Sequence, residues 1–258
     1  MPSTKIDRGP DPIMRVARDI LPIFVVSAGN PVDTLSFEGT GFLVAPAVLV
    51  TCWHCVRRKL QNGERYAVVI EREQNVYPLE SVEQDPSGLD LATAVVPDLS
   101  SSLNLSLALD PHALAGADVF SYGYPLGQIM RMPDGSRVIN APGRLLKGYV
   151  TRSFAPTLAE FGRTLTLELD MPAPGGLSGA PVIVAGTREI VGVVYGVNVV
   201  AQVEELARID PTTGQREPEV QRIVSFAAAH HVISLRGLRG TATRGRSLME
   251  LMAEVSQT

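Results

Sequence analysis

Cysteine is scarce in this chain: Cys52 and Cys55 are the only two in 258 residues. Two thiols cannot build a disulfide framework, so the expected compartment is a reducing one, the cytoplasm. A basic surplus is missing as well, since 23 Lys and Arg face 27 Asp and Glu for a net charge of −4. Nucleic acid therefore has no electrostatic footprint here and is not an expected partner. No apolar run is long enough to span a bilayer. The most hydrophobic one, Ile190 to Ala201, is broken by Gly192, Gly196 and Asn198. The apolar stretch Ile20 to Ala28 follows Arg15 and Arg18, but Asp19 abuts it, Pro22 interrupts it and it lies far from Met1. It does not read as a secretory leader. The 23 glycines and 19 prolines show no period, which excludes a collagen-like chain. What the chain does have is apolar content: 45% hydrophobic against 19% charged residues, enough to bury a sizeable core without disulfide staples.

Residues 1–12 hold three prolines and read as a flexible arm. Met14, Ala17, Ile20 and Leu21 are spaced for one face of a short helix. Short β-rich runs bounded by Gly, Pro, Asn or Asp follow. They are Ile23–Val26, Gly41–Val44, Val48–Thr51, Tyr66–Glu71, Leu91–Val96, Asp118–Tyr122, Gly143–Thr151, Thr164–Asp170, Pro181–Val184 and Ile190–Asn198. Many short strands with few helical stretches predict an all-β sandwich or barrel. Turn formers between Pro86 and Gly116 suggest a divider, giving N-terminal and C-terminal β units at 13–110 and 111–235. Val220, Ile223, Val224, Ala227 and Ala228 are spaced for a late helix over 218–230. The segment 236–258 reads as an Arg/Gly-rich mobile linker, then a short amphipathic helix marked by Leu248, Leu251 and Met252.

Three segments carry chemistry. In the first, a strand runs into Thr51-Cys52-Trp53-His54-Cys55; in the second, Asp90 opens the apolar strand Leu91-Ala92-Thr93-Ala94-Val95; in the third, Ser178 sits in Pro174-Gly175-Gly176-Leu177-Ser178-Gly179-Ala180-Pro181. A serine hydroxyl is a poor nucleophile at neutral pH and needs a base. His54 has the right ordinary pKa for that work. Asp90 would fix the tautomer of His54 and stabilise its imidazolium. Glycines around Ser178 allow backbone angles closed to other residues, so the amides of Gly176 and Ser178 can face one point. Such an oxyanion hole contributes roughly 3–4 kcal/mol per donor in well-studied enzymes.

The constellation resembles the trypsin-like serine proteases of the chymotrypsin fold over about residues 20–225. Thr51-Cys52-Trp53-His54-Cys55 is similar to that family's Thr-Ala-Ala-His-Cys, Asp90-Leu91-Ala92 to its Asp-Ile-Ala, and Gly176 to Pro181 to its Gly-Asp-Ser-Gly-Gly-Pro. Tyr122-Gly123-Tyr124-Pro125-Leu126-Gly127 is similar to the Gly-Asn-Pro-x-Gly stretch of the bacterial HtrA-like branch. The resemblance implies two six-stranded antiparallel β-barrels, an added C-terminal helix, and a cleft holding His54 as base, Asp90 as orienter and Ser178 as nucleophile. It also implies an oxyanion hole from the Gly176 and Ser178 amides, with Pro172 at the base of the specificity pocket and Tyr195, Gly196 and Val197 pairing with an extended substrate. Pro172 where trypsins carry Asp argues against selectivity for Lys or Arg. Leu177 replaces the Asp that pairs with a freshly cut N-terminus, so activation by such cleavage is not expected. Gly39 stands where the disulfide partner of Cys55 would be, leaving Cys55 a free thiol. Ala180 replaces the family's second glycine, a harmless change.

Each candidate residue also has a plainer reading. Asp85 is the rival to Asp90, and the apolar strand directly after Asp90 decides between them. Cys52 and Cys55 could suggest zinc or redox chemistry, but a zinc site wants more ligands and the βαβ context of a redox motif is missing; they read as small buried thiols. His112 follows Asp110-Pro111 in an exposed turn, and His230 and His231 close the late helix against its dipole. No metal or cofactor is expected. The expected function is a serine endopeptidase acting on peptide or protein substrates. Similarity to bacterial cytoplasmic protease domains implies a regulated defence or stress effector. The arm at 1–12 and the tail at 239–258 would then dock a regulatory partner or a fused sensor domain. The rival class is a catalytically silent module that binds extended peptides.

Overall fold

The computed structural model describes residues 16–27, 34–70, 75–99, 105–109, 115–135, 137–155, 165–205, 209, 212–215 and 220–255. The arm expected at 1–12, Met14 and His112 lie outside these residues. The first seven strands are β1 (Ile20–Ser27), β2 (Thr34–Ala45), β3 (Val48–Thr51), β4 (Glu64–Ile70), β5 (Asn75–Pro78), β6 (Glu80–Gln84) and β7 (Ala92–Val95). They form one curled sheet in the order β5-β4-β1-β2-β3-β7-β6. Then come β8 (Ser106–Leu107), β9 (Asp118–Gly123), β10 (Gln128–Arg131), β11 (Arg137–Asn140), β12 (Arg144–Phe154), β13 (Thr166–Leu169), β14 (Pro181–Val184), β15 (Glu189–Glu205) and β16 (Val220–His231). The second sheet runs β14-β9-β12-β13-β16-β15-β8, and a β14–β15 pairing closes it into a barrel. Strands β10 and β11 make a separate hairpin. This is the all-β, chymotrypsin-like arrangement. Only the C-terminal unit closes through six paired strands among the described residues; the N-terminal one is a half-barrel whose outer strands β5 and β6 do not pair with each other.

Strand β1 shows why the sheets curl over a core. Its sequence, ILPIFVVS, is apolar at nearly every position and buried from Ile20 to Val26. Successive side chains point to opposite faces. Ile23 and Val25 enter the large N-terminal core with Phe42 and Val68, while Phe24 and Val26 enter a second cluster with Ala67 and Val69. Ile129 and Ile139 of the β10–β11 hairpin cover that second face. Pro22 is tolerated because the β1–β4 pairing begins only at Ile23. Leu167, Leu169, Leu177, Val182 and Ala229 fill the C-terminal barrel.

Three local expectations change. Residues 220–231 are strand, not helix: β16 pairs with β15 along its length and with β13 at its C-terminal end. Ala227, Ala228 and Ala229 are all buried there. A central strand buried on both faces loses its alternation, and small residues then mimic a helical period. The lead-in is only a 3-10 turn, Ala17–Asp19, because Ile20 and Leu21 already belong to β1. The Arg/Gly stretch is packed rather than a mobile linker. Helix α1 (Val232–Arg236) buries Val232 and Leu235, then Leu238 and Thr243 are wholly buried. Thr241 donates its amide to Glu83 Oε2 at 2.8 Å. Helix α2 (Leu248–Val255) is where the expected last helix was placed, with Leu248, Leu251 and Met252 on its buried face. Ser247 and Glu250 form its capping box: the Glu250 amide donates to Ser247 Oγ (3.3 Å) and the Ser247 amide donates to Glu250 Oε2 (2.7 Å). Among the described residues no helix is long and apolar enough to cross a membrane.

Candidate active site

The register of β3 and β7 brings the first two site residues together. Thr51 pairs with Ala92, so the residues just past β3 lie beside those just before β7. His54 sits on the 3-10 turn Trp53–Cys55 that follows β3. Its amide donates to Asp90 Oδ1 at 2.8 Å, and its Nδ1 lies 2.7 Å from Asp90 Oδ2. One carboxylate thus fixes both the backbone and the ring of the histidine. The rival Asp85 is occupied with its own turn, accepting the Ser87 amide at 3.1 Å.

Ser178 lies in the loop between β13 and β14, and its geometry is set by three clamps. Leu177 N–H donates to Pro174 O (3.2 Å), and Gly176 has φ +94°. That combination is a type II turn, which demands a left-handed third residue. Leu126 N–H donates to Gly175 O at 2.7 Å. Since carbonyl and amide of a trans peptide point oppositely, this grip turns the Gly176 N–H to the other side. Thr40 of β2 is the central clamp. It is wholly buried, its amide donates to Ser178 O (2.9 Å), and its hydroxyl donates to Gly176 O (2.8 Å) while accepting the Tyr124 amide (3.1 Å). Ala180 N–H donates to Leu177 O (3.0 Å), which turns the Ser178 amide away from that carbonyl. Gly179, at φ +86°, lies so close to Thr40 that a Cβ there would stand 1.9 Å from the Thr40 carbonyl. Leu177 is buried in the C-terminal core and anchors the loop from beneath.

Contacts between the two units seat Ser178 beside the His54 turn. Cys55 Sγ donates to Ser178 O at 3.6 Å, and Cys52 Sγ donates to Val194 O at 3.2 Å. The Ser178 hydroxyl donates to Tyr195 O over a long 3.5 Å. Tyr195 occupies a bulge, because the register of β15 on β16 shifts between Val194 and Gly196. Bulges re-aim a side chain next to a site. Here the Tyr195 ring stacks on the imidazole of His230 at 4.4 Å, and its hydroxyl meets Thr166 Oγ1 at 3.3 Å. Gly196 and exposed Val197 pair only with β16 among the described residues, since β14 reaches no further than Val193. Pro172 is exposed, next to Met171, whose carbonyl accepts the Ala227 amide at 3.1 Å.

The electrostatics follow from burial and pairing. Burial alone would lower the pKa of His54, but hydrogen bonding and charge attraction from Asp90 and Cys55 together outweigh it and raise the imidazole above its ordinary 6.5. Burial pushes the Asp90 carboxyl up; the facing imidazoles of His230 and His54 pull it further down, well below the usual carboxylate range. Burial also pushes the Cys52 thiol well up, helped by Cys55 and Asp90. Cys52, Asp90 and His230 place ligand-type atoms within 4.8 Å of one another. The donor set fits a hydrogen-bonded cluster better than a cation site. The raised thiol keeps its proton, which it gives to Val194 O, and Asp90 already serves His54.

Sequence reasoning placed His54, Asp90 and Ser178 but gave no role to Thr40, Leu126 or His230. A signal exists for Leu126, which lies inside the Tyr122–Gly127 motif segment, and Thr40 stands beside Gly39 and the expected strand Gly41–Val44. His230 had none: it was read as the end of a helix, whereas it closes strand β16. His231 likewise serves as a cap, its Nδ1 accepting the Ile233 amide at 3.2 Å at the start of α1.

Comparison with known proteins supplies context. The family model described as the trypsin-like peptidase domain matches residues 39–193. No curated protein matches the chain. Among solved structures, the inactive form of the Rv3671c protease of M. tuberculosis, a serine-to-alanine mutant, superposes with a TM-score of 0.53 at 16% identity, covering 100% of this chain and 96% of that one. The active form of that protease gives 0.53 at 19% identity over 89% and 86%. The HtrA-type protease AlgW, a serine-to-alanine form with a decapeptide, gives 0.55 at 13% identity over 86% and 63%. These likenesses show a shared fold.

Proposed function

The chain belongs to the trypsin-like peptidase family and is a serine protease of that kind, and from this premise we propose that it is an endopeptidase working through an acyl-enzyme on Ser178. The observation that carries the reading is the pair of hydrogen bonds from His54 to Asp90, at 2.8 and 2.7 Å, beside a serine loop clamped to the same turn. In this mechanism His54 Nε2 takes the Ser178 proton while Oγ attacks the scissile carbonyl. Asp90 keeps the other proton on Nδ1 and stabilises the imidazolium. The Gly176 and Ser178 amides, oriented by Leu126, Thr40 and Ala180, stabilise the oxyanion. His54 then returns its proton to the leaving amine, and water releases the acyl group by the same steps in reverse order.

An extended substrate would add a strand along Gly196 and Val197, and the side chain before the cut would lie toward Pro172. Leu177, apolar and wholly buried, anchors the loop by packing, which supports a site that needs no cleaved N-terminus. Two free, buried thiols support a reducing, cytoplasmic setting. A regulatory partner or fused sensor domain, in a defence or stress role, completes the reading and rests on the bacterial resemblance alone. The test is active-site labelling: a fluorophosphonate should modify wild type and spare Ser178→Ala. A wild type that resists the reagent and cuts no peptide library sinks the proposal. The rival, a silent peptide-binding module, draws on the Ser178 hydroxyl bonding to Tyr195 O. It predicts equal peptide affinity for wild type and Ser178→Ala with no turnover by either.

A further inference from the structure

The most anomalous side chain outside the expected triad is His230. It is 0% exposed, and neither ring nitrogen has a hydrogen-bond partner. A buried imidazole with both nitrogens idle is costly, and such exceptions mark strain or function. Its surroundings show where one nitrogen is aimed. Nε2 stands 4.0 Å from Asp90 Oδ2. The ring lies on Tyr195 at 4.4 Å with an interplanar angle of 31°, which sets its plane. The backbone is fixed on both sides, since His230 pairs with Thr166 of β13 and Val193 of β15. The imidazole therefore stands on the rigid wall of the closed barrel and faces a carboxylate held just before β7 of the other sheet.

Asp90 has room for it. Each carboxylate oxygen can accept two hydrogen bonds. Oδ1 takes the His54 amide and Oδ2 takes the His54 ring, which leaves one site on Oδ2 unused on the His230 side. A closure of roughly 1 Å would bring the pair to ordinary hydrogen-bond distance.

We propose that His230 is a positioning residue for the catalytic pair, donating its Nε2–H to Asp90 Oδ2 and holding the carboxylate between two imidazoles, one from each half of the molecule. This rests on the reading of His54 and Asp90 as the working base and its orienter. The groups facing Asp90 are His54 from the turn after β3, Cys52 from the end of β3, Tyr195 from β15 and His230 from β16. Cys52 gives its proton to Val194 O and Tyr195 meets Thr166, so beyond His54 the ring of His230 is the donor aimed at the carboxylate. The consequence has a definite sign. A second donor on Oδ2 shares the negative charge and weakens its hold on the His54 proton. Removing that donor strengthens the hold, so His54 becomes harder to deprotonate.

The experiment compares wild type, His230→Phe and His230→Gln by NMR titration of the His54 ring without substrate, and by kcat/KM against pH. Phe keeps the ring stack on Tyr195 and removes the donor; Gln keeps an N–H within reach. The Phe variant should raise the His54 midpoint by about one unit, move the acid limb of kcat/KM by the same amount and lower kcat about tenfold with KM little changed. Gln should restore both midpoints toward wild type. A merely structural role would lower activity in both variants without moving the His54 midpoint, and that result overturns the proposal. Should the variants fail to fold, the wild type decides alone through its His230 nitrogen resonances. A proton on Nε2 supports the assignment and a proton solely on Nδ1 overturns it. A chain that cuts nothing would refute the peptidase mechanism and leave the NMR outcome standing.

Discussion

Replacing Thr40 by valine isolates the clamp on the serine loop. The two side chains match in shape, and the backbone bonds of Thr40 to Ser178 and from Thr51 are untouched by the change. Only the hydroxyl goes. It leaves the Gly176 carbonyl without its 2.8 Å donor and the Tyr124 amide without its 3.1 Å acceptor. An unsatisfied buried polar group costs about 1–3 kcal/mol, so the pair, both partly buried, loses at most about 2–6 kcal/mol. Part of that loss falls on the catalytic geometry, because the Gly176 carbonyl belongs to the loop that aims the two oxyanion amides. About 1.4 kcal/mol of lost preference for the competent loop already gives a tenfold drop in rate. The assays are urea unfolding and turnover of a fluorogenic substrate normalised by active-site titration. Thr40→Val should unfold at clearly lower urea and show kcat reduced at least about tenfold, and Thr40→Ser should recover most of both. A valine variant with wild-type midpoint and kcat would refute the view that this hydroxyl holds the loop.

Asp90→Asn should keep the fold while kcat falls by about 10⁴, as in the best-studied triad, because an amide facing Nδ1 selects the wrong tautomer of His54; circular dichroism and turnover together check it. The general base must be neutral, and His54 is raised above 6.5, so kcat/KM should climb with an acid-limb midpoint above 6.5; a rate falling from pH 5 to 8 contradicts this. The same shifts act on stability. The raised His54 stabilises fully below its ordinary pKa and loses that contribution as pH rises through the folded value. The depressed Asp90 stabilises above the ordinary carboxyl range and loses it as acid is added through the folded value. Gly179→Ala, with φ +86° and a Cβ 1.9 Å from Thr40 O, should lose more than about 3 kcal/mol or fail to fold, while Gly175→Ala, which meets nothing within 4 Å, should fold normally; denaturant melts of both settle the comparison.

Strands β1, β3 and β7 of the N-terminal sheet are readable because they are bounded by turn formers and rich in branched residues, whereas β5 (Asn75–Pro78) and β6 (Glu80–Gln84) were not expected. His54, Asp90 and Ser178 stand out in the sequence because each lies inside a motif whose order and β context agree, and the structure pairs His54 with Asp90 and ties the Ser178 carbonyl to Cys55 of the His54 turn. What escaped has a common cause. Strand β16 is specified by its neighbours β13 and β15, far away in sequence, and its alanines carry no local β preference. The stretch after it looked like a linker because Arg and Gly dominate, yet Leu238 and Thr243 are wholly buried and Thr241 is tied to Glu83. The contacts of Thr40 with the serine loop and of His230 with Asp90 join the two halves, and no local window contains them.

The return of the chain end to the first sheet has a consequence for synthesis. Val232, Leu235, Leu238, Leu248, Leu251 and Met252 share one apolar cluster with Ile23, Phe42 and Leu49. The first sheet therefore waits for residues 232–252 to leave the ribosome before its interior is filled. Since Asp90 stands in that half and faces His230, 140 positions later, a growing polypeptide cannot bring the two together until residue 230 has been made.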